Sequence, residues 1–316
     1  MDGCDLTVVI VSWNVRELLP ACLDSLAAEF ARSRLAGEVI VVDNASSDGS
    51  QAMVRASFPS VHLIANATNL GFTAANNQGL RHARGRYLML LNPDTEVLDD
   101  ALAAMVRYLD DHPDVGVVGP RLLNPDGTAQ SSRRRFPTLA TTFIESTVLQ
   151  RYLPNHPLLR RYYVLDRSDD ETQEVDWLVG ACLAVRREAV EEVGLLDEGF
   201  FMYSEELDWC RRIVGAGWKI VYLPTARVVH WGGASSERDV LHRHIYFQDS
   251  KCRYVARYHG VWASRALRLF LFGTYMFQLL EEGAKWLLGH KRPLRASRLG
   301  VLSGYLRWQM RRWLGA

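Results

Sequence analysis

Cysteine is scarce in this chain. The five residues Cys4, Cys22, Cys182, Cys210 and Cys252 include no CxxC pair and leave an odd one over. That count and spacing argue against a disulfide framework and against a zinc site. Long apolar runs are missing too. The longest uncharged apolar stretch near the C-terminus, Leu269–Leu280, has 12 residues, and a membrane-spanning helix needs about 20. The opening stretch MDGCDLTVVIVSWN is acidic and passes straight into an apolar run, without the basic n-region and cleavage site of a secretory signal. Charge of one sign is not in excess. With 37 Lys and Arg against 36 Asp and Glu the net charge is +1, which argues against a polycation built for nucleic acid. No internal repeat or low-complexity tract occurs. A hydrophobic content of 48% with 23% charged residues describes a chain able to bury an ordinary core. These absences lead to the expectation of a cytoplasmic protein of one large domain or two ordinary ones.

The even charge balance conceals an uneven distribution. Residues 251–316 carry a net charge of +11 and the remainder −10, and four of the nine Trp (Trp262, Trp286, Trp308 and Trp313) lie in the same basic stretch. A basic, Trp-rich end behind an acidic body points to two tasks in one chain.

Hydrophobic periodicity organises the first 120 residues. Strands are expected at 6–11, 38–42, 61–65, 87–91 and 115–118, with helices at 15–30, 50–57, 72–83 and 99–111 between them. Asn14 is the expected cap of the first helix, and Pro20 a flaw near its first turns. The alternation implies βαβ units and a mostly parallel sheet. Residues 121–175 read as a long excursion over the active-site side. A strand-like segment follows at 175–185, then helices at 188–193 and 205–216, and short strands at 219–223 and 227–230. After Arg238 the sequence reads as helical to the end, broken at Gly260, Gly289 and Pro293.

Polar residues stand where strands should end: Ser12-Trp13-Asn14, Asp43-Asn44 and Asn92-Pro93-Asp94. Ligands of parallel α/β sheets bind beyond the carboxyl ends of the strands, so three polar strand ends suggest a nucleotide crevice. Capping of the following helices is the plainer explanation for any one of them. A carboxylate behind a stiff turn, as at Asp94, suits a hard cation that keeps waters and substrate phosphates as its other ligands. Asn76 and Asn77 sit mid-helix against propensity, with a functional role and a buried bridge between loops as the two readings. Phe200–Tyr203 leads into Ser204-Glu205-Glu206-Leu207-Asp208, where Ser204 is a candidate cap and Asp208 a helical partner for Arg211 or Arg212. A glutamate desolvated beside that aromatic run has a raised pKa and suits a general base. His230, followed by Trp231-Gly232-Gly233, is a candidate contact for a metal or a diphosphate.

In order, the segments VVIVSWN, VVDNASSDGS, NLGFTAANNQG, LLNPDT, WLVGACLAVRREA, DEGFFMYSEELDWCRR and HWGGAS resemble the family 2 glycosyltransferases of GT-A fold, in their bacterial rhamnosyltransferase-like branch. The resemblance covers about residues 5–236. It implies an α/β fold with a mostly parallel central sheet flanked by helices: a catalytic domain at 1–240, with a donor half at about 1–120 and an acceptor half at about 121–240, followed by a helical extension at 241–316.

The resemblance further implies a nucleotide-sugar donor, a divalent cation (Mg²⁺ or Mn²⁺) and inversion at the anomeric carbon. Residue by residue, it puts Ser12, Asn14 and Asp43 by the base and ribose, Gly71, Phe72 and Asn76 in the donor pocket, and Asp94 at the last acid of a DxD-type metal motif. Asn92 replaces the first acid of that motif, and His230 lies near metal and diphosphate. Glu206 takes the place of the family's usual base, with Glu205 in reserve. Trp177 and Gly180 are assigned to an acceptor floor, and Arg134 and Arg135, beside Arg133, to an acceptor diphosphate or else to a solvated basic loop. The implied reaction builds bacterial cell-surface polysaccharide. Its expected donor is dTDP-rhamnose, with UDP-sugars next, and its expected acceptor is a glycan or polyprenyl-linked hydroxyl. A nucleotidyltransferase, or a non-catalytic nucleotide-sugar-binding module at the membrane, is the alternative. The basic, Trp-rich extension is expected to rest on the inner face of the plasma membrane, or else to cap the catalytic domain or a second subunit. A homodimer is left open.

Overall fold

The computed structural model describes residues 3–232 and 239–314. They form two compact units: 3–136 with 163–232, and 137–162 with 239–314. The sequence places 137–162 in the acceptor half of the catalytic domain. In the structure this segment groups with the helical unit.

In the first unit the strands are β1 (Leu6–Ser12), β2 (Gly37–Asp43), β3 (His62–Ala65), β4 (Tyr87–Leu91), β5 (Thr95–Leu98), β6 (Val115–Leu123), β7 (Ala129–Gln130), β8 (Arg133–Arg134), β9 (Gln173–Glu174), β10 (Trp177–Leu178), β11 (Cys182–Arg186) and β12 (Lys219–His230). The main sheet runs β3-β2-β1-β4-β11-β6-β12-β5. Its β3-β2-β1-β4 half is parallel, as the βαβ alternation requires. Strand β11 lies antiparallel between β4 and β6. β12 runs parallel to β6, and β5 returns antiparallel beside β12. A two-stranded ribbon pairs β8 with β10.

All seven side chains of β1 are buried, as a strand covered on both faces demands. Leu6, Val8 and Ile10 face α1 (Leu19–Ser33) and α4 (Ala101–Asp111), while Val11, Ile40 and Val42 face α3 (Phe72–His82). A shorter helix, α2 (Ser50–Ser57), follows β2.

The first helix starts four residues later than the sequence suggests. Pro20 sits in its first turn, where a missing N–H costs nothing, and so marks the start and is no flaw. Asn14 does not cap it. It adopts φ +55 and accepts a hydrogen bond from the Ser47 amide at 2.8 Å, tying the β1 end to the β2 end. Strand β5 was not anticipated, and β12 is one bent strand with an irregularity between Leu223 and Arg227, where two were expected.

The second unit holds α5 (Leu139–Ile144), α6 (Val148–Tyr152), α7 (Pro157–Tyr162) and the helices expected at the C-terminus. After α8 (Arg187–Val193) and α9 (Glu205–Gly215) of the first unit, these are α10 (Val240–His259), α11 (Val261–Leu287) and α12 (Arg292–Leu314). Gly260 and Gly289 have positive φ at the junctions. Pro293 begins α12 and does not break it. The core of this unit is Ile245, Tyr275, Leu302, Tyr305 and Leu306, with Tyr275 stacked on Tyr305 at 3.8 Å. A second cluster joins Cys252, Val255, Leu267 and Leu271 to Phe143. The buried ammonium of Lys251 meets Glu145 at 3.1 Å.

Candidate active site

The site lies on one edge of the main sheet, beyond the carboxyl ends of the parallel strands. Ser12 ends β1, Asp43 ends β2, and Asn92-Pro93-Asp94 follows β4. The antiparallel strand β11 enters from the same edge, because Cys182 pairs with Leu91 and the Ala181 carbonyl accepts from the Asn92 amide at 2.9 Å.

At the donor end, Asp43 is buried. Its Oδ1 accepts from the Ser46 amide at 2.9 Å and from Gln51 at 2.7 Å, whereas its Oδ2 and the Ser12 hydroxyl have no hydrogen-bond partner among the described residues. A native fold seldom leaves buried acceptors unpaired, which makes these two atoms candidates for a ligand contact. Asn44, expected only as part of a polar strand end, is the hub of the neighbouring loop. It donates to Asn69 and the Gly71 carbonyl, and accepts from Asn66 and the Leu70 amide.

Gly71 takes φ +90, and its carbonyl-side neighbours on α3 are capped by Phe201, whose carbonyl accepts from the Phe72 amide at 2.8 Å. A Cβ at position 71 would stand 2.7 Å from the Phe201 ring and 2.8 Å from its carbonyl oxygen. Gly71→Ala is therefore expected to cost about 1–3 kcal/mol, read as a lower denaturation midpoint together with weaker donor binding. An unchanged midpoint would sink this account. Phe72 packs on Val11, Ile40 and Val42 as part of the core. Asn76 is buried and bonds back to the Phe72 carbonyl at 3.0 Å. Asn77 is the bridge between loops: it exchanges hydrogen bonds with the backbone of Leu196 and reaches Glu198.

Beyond β4, the Asp94 carboxylate lies 3.4 Å from His230 Nε2. The β12–β5 register, His230 opposite Thr95, brings them together. Gln130 decides which ring nitrogen faces Asp94. Its amide nitrogen donates to Asn124 at 3.0 Å, so its oxygen faces His230 Nδ1 at 2.7 Å and that nitrogen carries the proton. Nε2 then offers a lone pair toward Asp94 Oδ1, with Asn92 Nδ2 at 3.3 Å. One carboxylate oxygen and one imidazole lone pair on a common side suit a divalent cation. No group of three acidic, His or Cys side chains suited to a metal occurs among the described residues. Gln130, 100 residues from His230 in sequence, is a hydrogen-bond partner of His230 that the sequence did not signal. Gly233, with the rest of the HWGGAS segment after Gly232, lies outside the described residues.

Glu205 and Glu206 open α9 after two consecutive left-handed residues, Tyr203 (φ +70) and Ser204 (φ +64). Such conformations cost free energy and gather at functional sites. Ser204 holds the cap position, but its hydroxyl makes no capping bond. The expected Asp208–Arg212 pair forms, at 2.9 Å. Glu205 is buried, and burial, followed by repulsion from Glu206, holds its carboxyl well above the usual range. Burial also raises Glu206, but backbone amides, Gly180 among them, and the charge of Arg134 oppose that rise. Glu206 is half-buried where Glu205 is buried, and more groups favour its anion: the Gly180 and Leu207 amides and Arg134 act on it, against one backbone amide for Glu205. These surroundings favour the anion at Glu206 over Glu205.

A consequence follows for stability. Folded Glu205 holds its proton more tightly than the unfolded chain does, so its stabilising effect is complete at acid pH and is lost as pH climbs through the raised value. Glu205→Gln is expected to flatten that decline and to raise the melting midpoint in neutral and alkaline buffer, with little difference in acid. Parallel wild-type and variant curves across pH would refute this.

Gly180 packs against the Glu206 side chain, 3.4 Å from its Cγ to the Cβ position. The Trp177 indole is buried and donates to the Arg135 carbonyl at 3.0 Å, so it props up the ribbon and presents little surface as a floor. The three arginines separate. Arg133 is buried, donating to the Ser168 carbonyl at 2.7 Å and lying over Tyr222. It is neither a diphosphate grip nor a solvated loop residue. Arg135 faces Asp176 at 3.6 Å. Arg134 lies over Tyr163 and acts on Glu206.

The glycosyl transferase family 2 profile matches residues 7–194. The chain belongs to that family. Over 280 residues, 85% of this chain and 90% of the relative, it is 30% identical to the N-acetylglucosaminyl-diphospho-decaprenol L-rhamnosyltransferase of Mycobacterium tuberculosis. It is 25% identical to the rhamnosyltransferase WbbL of Escherichia coli K12 over 56% of this chain and 64% of that one. The mannosyltransferase PcManGT of Pyrobaculum calidifontis, solved with GDP-Man and Mn²⁺, superposes with a TM-score of 0.57 at 18% identity, covering 98% of this chain and 87% of that one. The fold is GT-A, and this family 2 member is a rhamnosyltransferase-like glycosyltransferase.

Proposed function

We propose that this glycosyltransferase moves a deoxyhexose, with inversion, from a nucleoside-diphosphate donor to a hydroxyl of a polyprenyl-diphosphate-linked glycan in cell-surface polysaccharide synthesis. The proposed donor is dTDP-rhamnose, with a UDP-sugar second. The observation that carries the reading is the placement of Glu206. It is a partly buried carboxylate supported by the Gly180 amide, two residues before Cys182, whose strand pairs with the residue preceding Asn92–Asp94. The name of the Mycobacterium relative supports the choice of sugar and acceptor.

In the proposed reaction Glu206 takes the proton of the acceptor hydroxyl. The acceptor oxygen bonds to the anomeric carbon as the carbon–oxygen bond to the diphosphate breaks, its electron pair leaving with the nucleotide. Asp43 Oδ2 and Ser12 Oγ orient base and ribose, and the loop at Gly71 walls the donor. Arg134 favours the Glu206 anion and, with Arg135, faces the acceptor side. Asp94 and His230 are the residues that would hold Mg²⁺ or Mn²⁺, and the ion would supply charge neutralisation for the leaving diphosphate. Glu205, uncharged beside Glu206, keeps the pair from carrying two negative charges. The helical unit, in this reading, rests on the inner face of the plasma membrane, where a polyprenyl acceptor stays.

The test is incubation with dTDP-rhamnose, UDP-glucose, UDP-galactose or GDP-mannose, with Mn²⁺ and a short-chain polyprenyl-diphosphate N-acetylglucosamine, followed by mass spectrometry. A product heavier by one deoxyhexose, only with dTDP-rhamnose, is the expected result. A product with none of the donors would overturn the reading.

A further inference from the structure

Helix α11 is apolar on both faces. Leu267, Leu271 and Tyr275 are buried in its own unit. On the other face Trp262, Leu269, Met276, Leu280 and Leu287 are exposed, from 37% at Met276 to 77% at Trp262. Their spacings of 7, 7, 4 and 7 residues keep them in one stripe, about 38 Å long at the helical rise. A helix apolar all round is normally covered on every side, so the stripe calls for a second covering. Yet no helix among the described residues is long and apolar enough to cross a membrane, which leaves a flat-lying contact.

At the Trp262 end the stripe borders a cavity of about 550 Å³ lined by Ser264, Arg265, Arg268 and Arg312, with Leu269 and Trp313 at its apolar side. Asp249 pairs with Arg268 at 2.7 Å and with Arg312 at 2.8 Å. Arg265 lies over Trp262 at 4.6 Å and has no carboxylate partner among the described residues. Three guanidinium groups against one carboxylate leave the cavity net positive, inside a segment that is +11 overall. A second copy placed symmetrically on this face would bring like charges together. An anionic bilayer meets both demands at once: acyl chains cover the stripe, and a phosphodiester neutralises the arginines.

We infer that α11 lies flat in the interface of an anionic membrane and that the Arg265–Arg268–Arg312 cavity binds the phosphate of one anionic phospholipid. This rests on the proposed membrane placement of the helical unit but not on the chemistry at Glu206.

The experiment is flotation of the full chain with vesicles of phosphatidylcholine alone or mixed with phosphatidylglycerol. Binding to the mixed vesicles well above binding to phosphatidylcholine is expected. Arg265→Gln should weaken the mixed-vesicle binding about fivefold, and Leu269→Gln should weaken it at least tenfold. Both positions are exposed, so unchanged circular dichroism and denaturation midpoint check that the variants fold. Equal binding to both vesicle types, indifference to Arg265→Gln, or displacement by inorganic phosphate beyond its effect as a salt would each overturn the inference. So would failure to float together with a dimer, seen by light scattering, that Leu269→Gln dissociates. Sugar transfer to a short-chain acceptor without vesicles separates the two readings. Transfer without flotation defeats only the lipid site, and flotation without transfer defeats only the proposed reaction.

Discussion

Glu206→Gln is expected to lower kcat by about 10²–10⁴-fold, the usual share of a positioned general base, while the dissociation constant of the nucleotide-sugar stays near the wild-type value. The amide keeps the size and the contacts at Gly180 but cannot accept the proton. Glu206→Asp, which keeps a carboxylate on a shorter side chain, should retain more activity than the amide. The pH profile gives an independent check. Burial raises the Glu206 carboxyl, and the base works only when ionised. The acid limb of kcat/KM should thus fall away above the ordinary glutamate range as pH drops. Arg134→Ala removes a charge that favours the anion, so the same limb should move to higher pH. A wild-type kcat in Glu206→Gln, measured with saturating donor and acceptor, would return the base to Glu205 or remove it from the pair altogether.

Asp94→Asn is expected to weaken donor binding in the presence of Mn²⁺ by on the order of 10²–10³-fold and to erase the difference between titrations with metal and with chelator. The substitution preserves the shape of the turn after β4 and the backbone bond from the Trp231 amide to the residue-94 carbonyl, 2.9 Å long. Only the charge facing His230 Nε2 is lost. Calorimetry on wild type and variant, with and without metal, reads this directly. Equal affinities in all four titrations would show that the Asp94–His230 pair holds no ion. Gln130→Ala offers a milder version of the same test, because it frees the imidazole to rotate and leaves Asp94 and His230 in place.

The parallel half of the sheet was legible because period and burial agree there. A run such as LTVVIV, apolar at every position, suits a strand covered on both sides, and the polar residues that end β1, β2 and β4 mark the edge where ligands bind. The antiparallel strands were harder to read. Strand β5 has four residues, begins one residue after Asp94, and exists because β12 supplies its hydrogen bonds. No local preference encodes that pairing. Asn14 and Ser204 mislead for a related reason. Both have the composition of helix caps, yet both take left-handed backbone conformations, and the Asn14 amide oxygen is claimed by a loop 33 residues away.

By itself, then, the sequence determined the order of the parallel strands and the helices between them, the polar edge of the sheet, the acidic start of α9 and the charge contrast between body and extension, because each rests on residue type and short spacing. The tertiary structure alone decided how the surroundings of the two adjacent glutamates differ, since the Gly180 amide, between β10 and β11, and Arg134 of β8 favour the Glu206 anion. It also decided which nitrogen of His230 faces Asp94, through a glutamine 100 residues distant. Protonation state and tautomer are set by the field and hydrogen bonds around a group, and those come from chain segments that meet only when the sheet has formed.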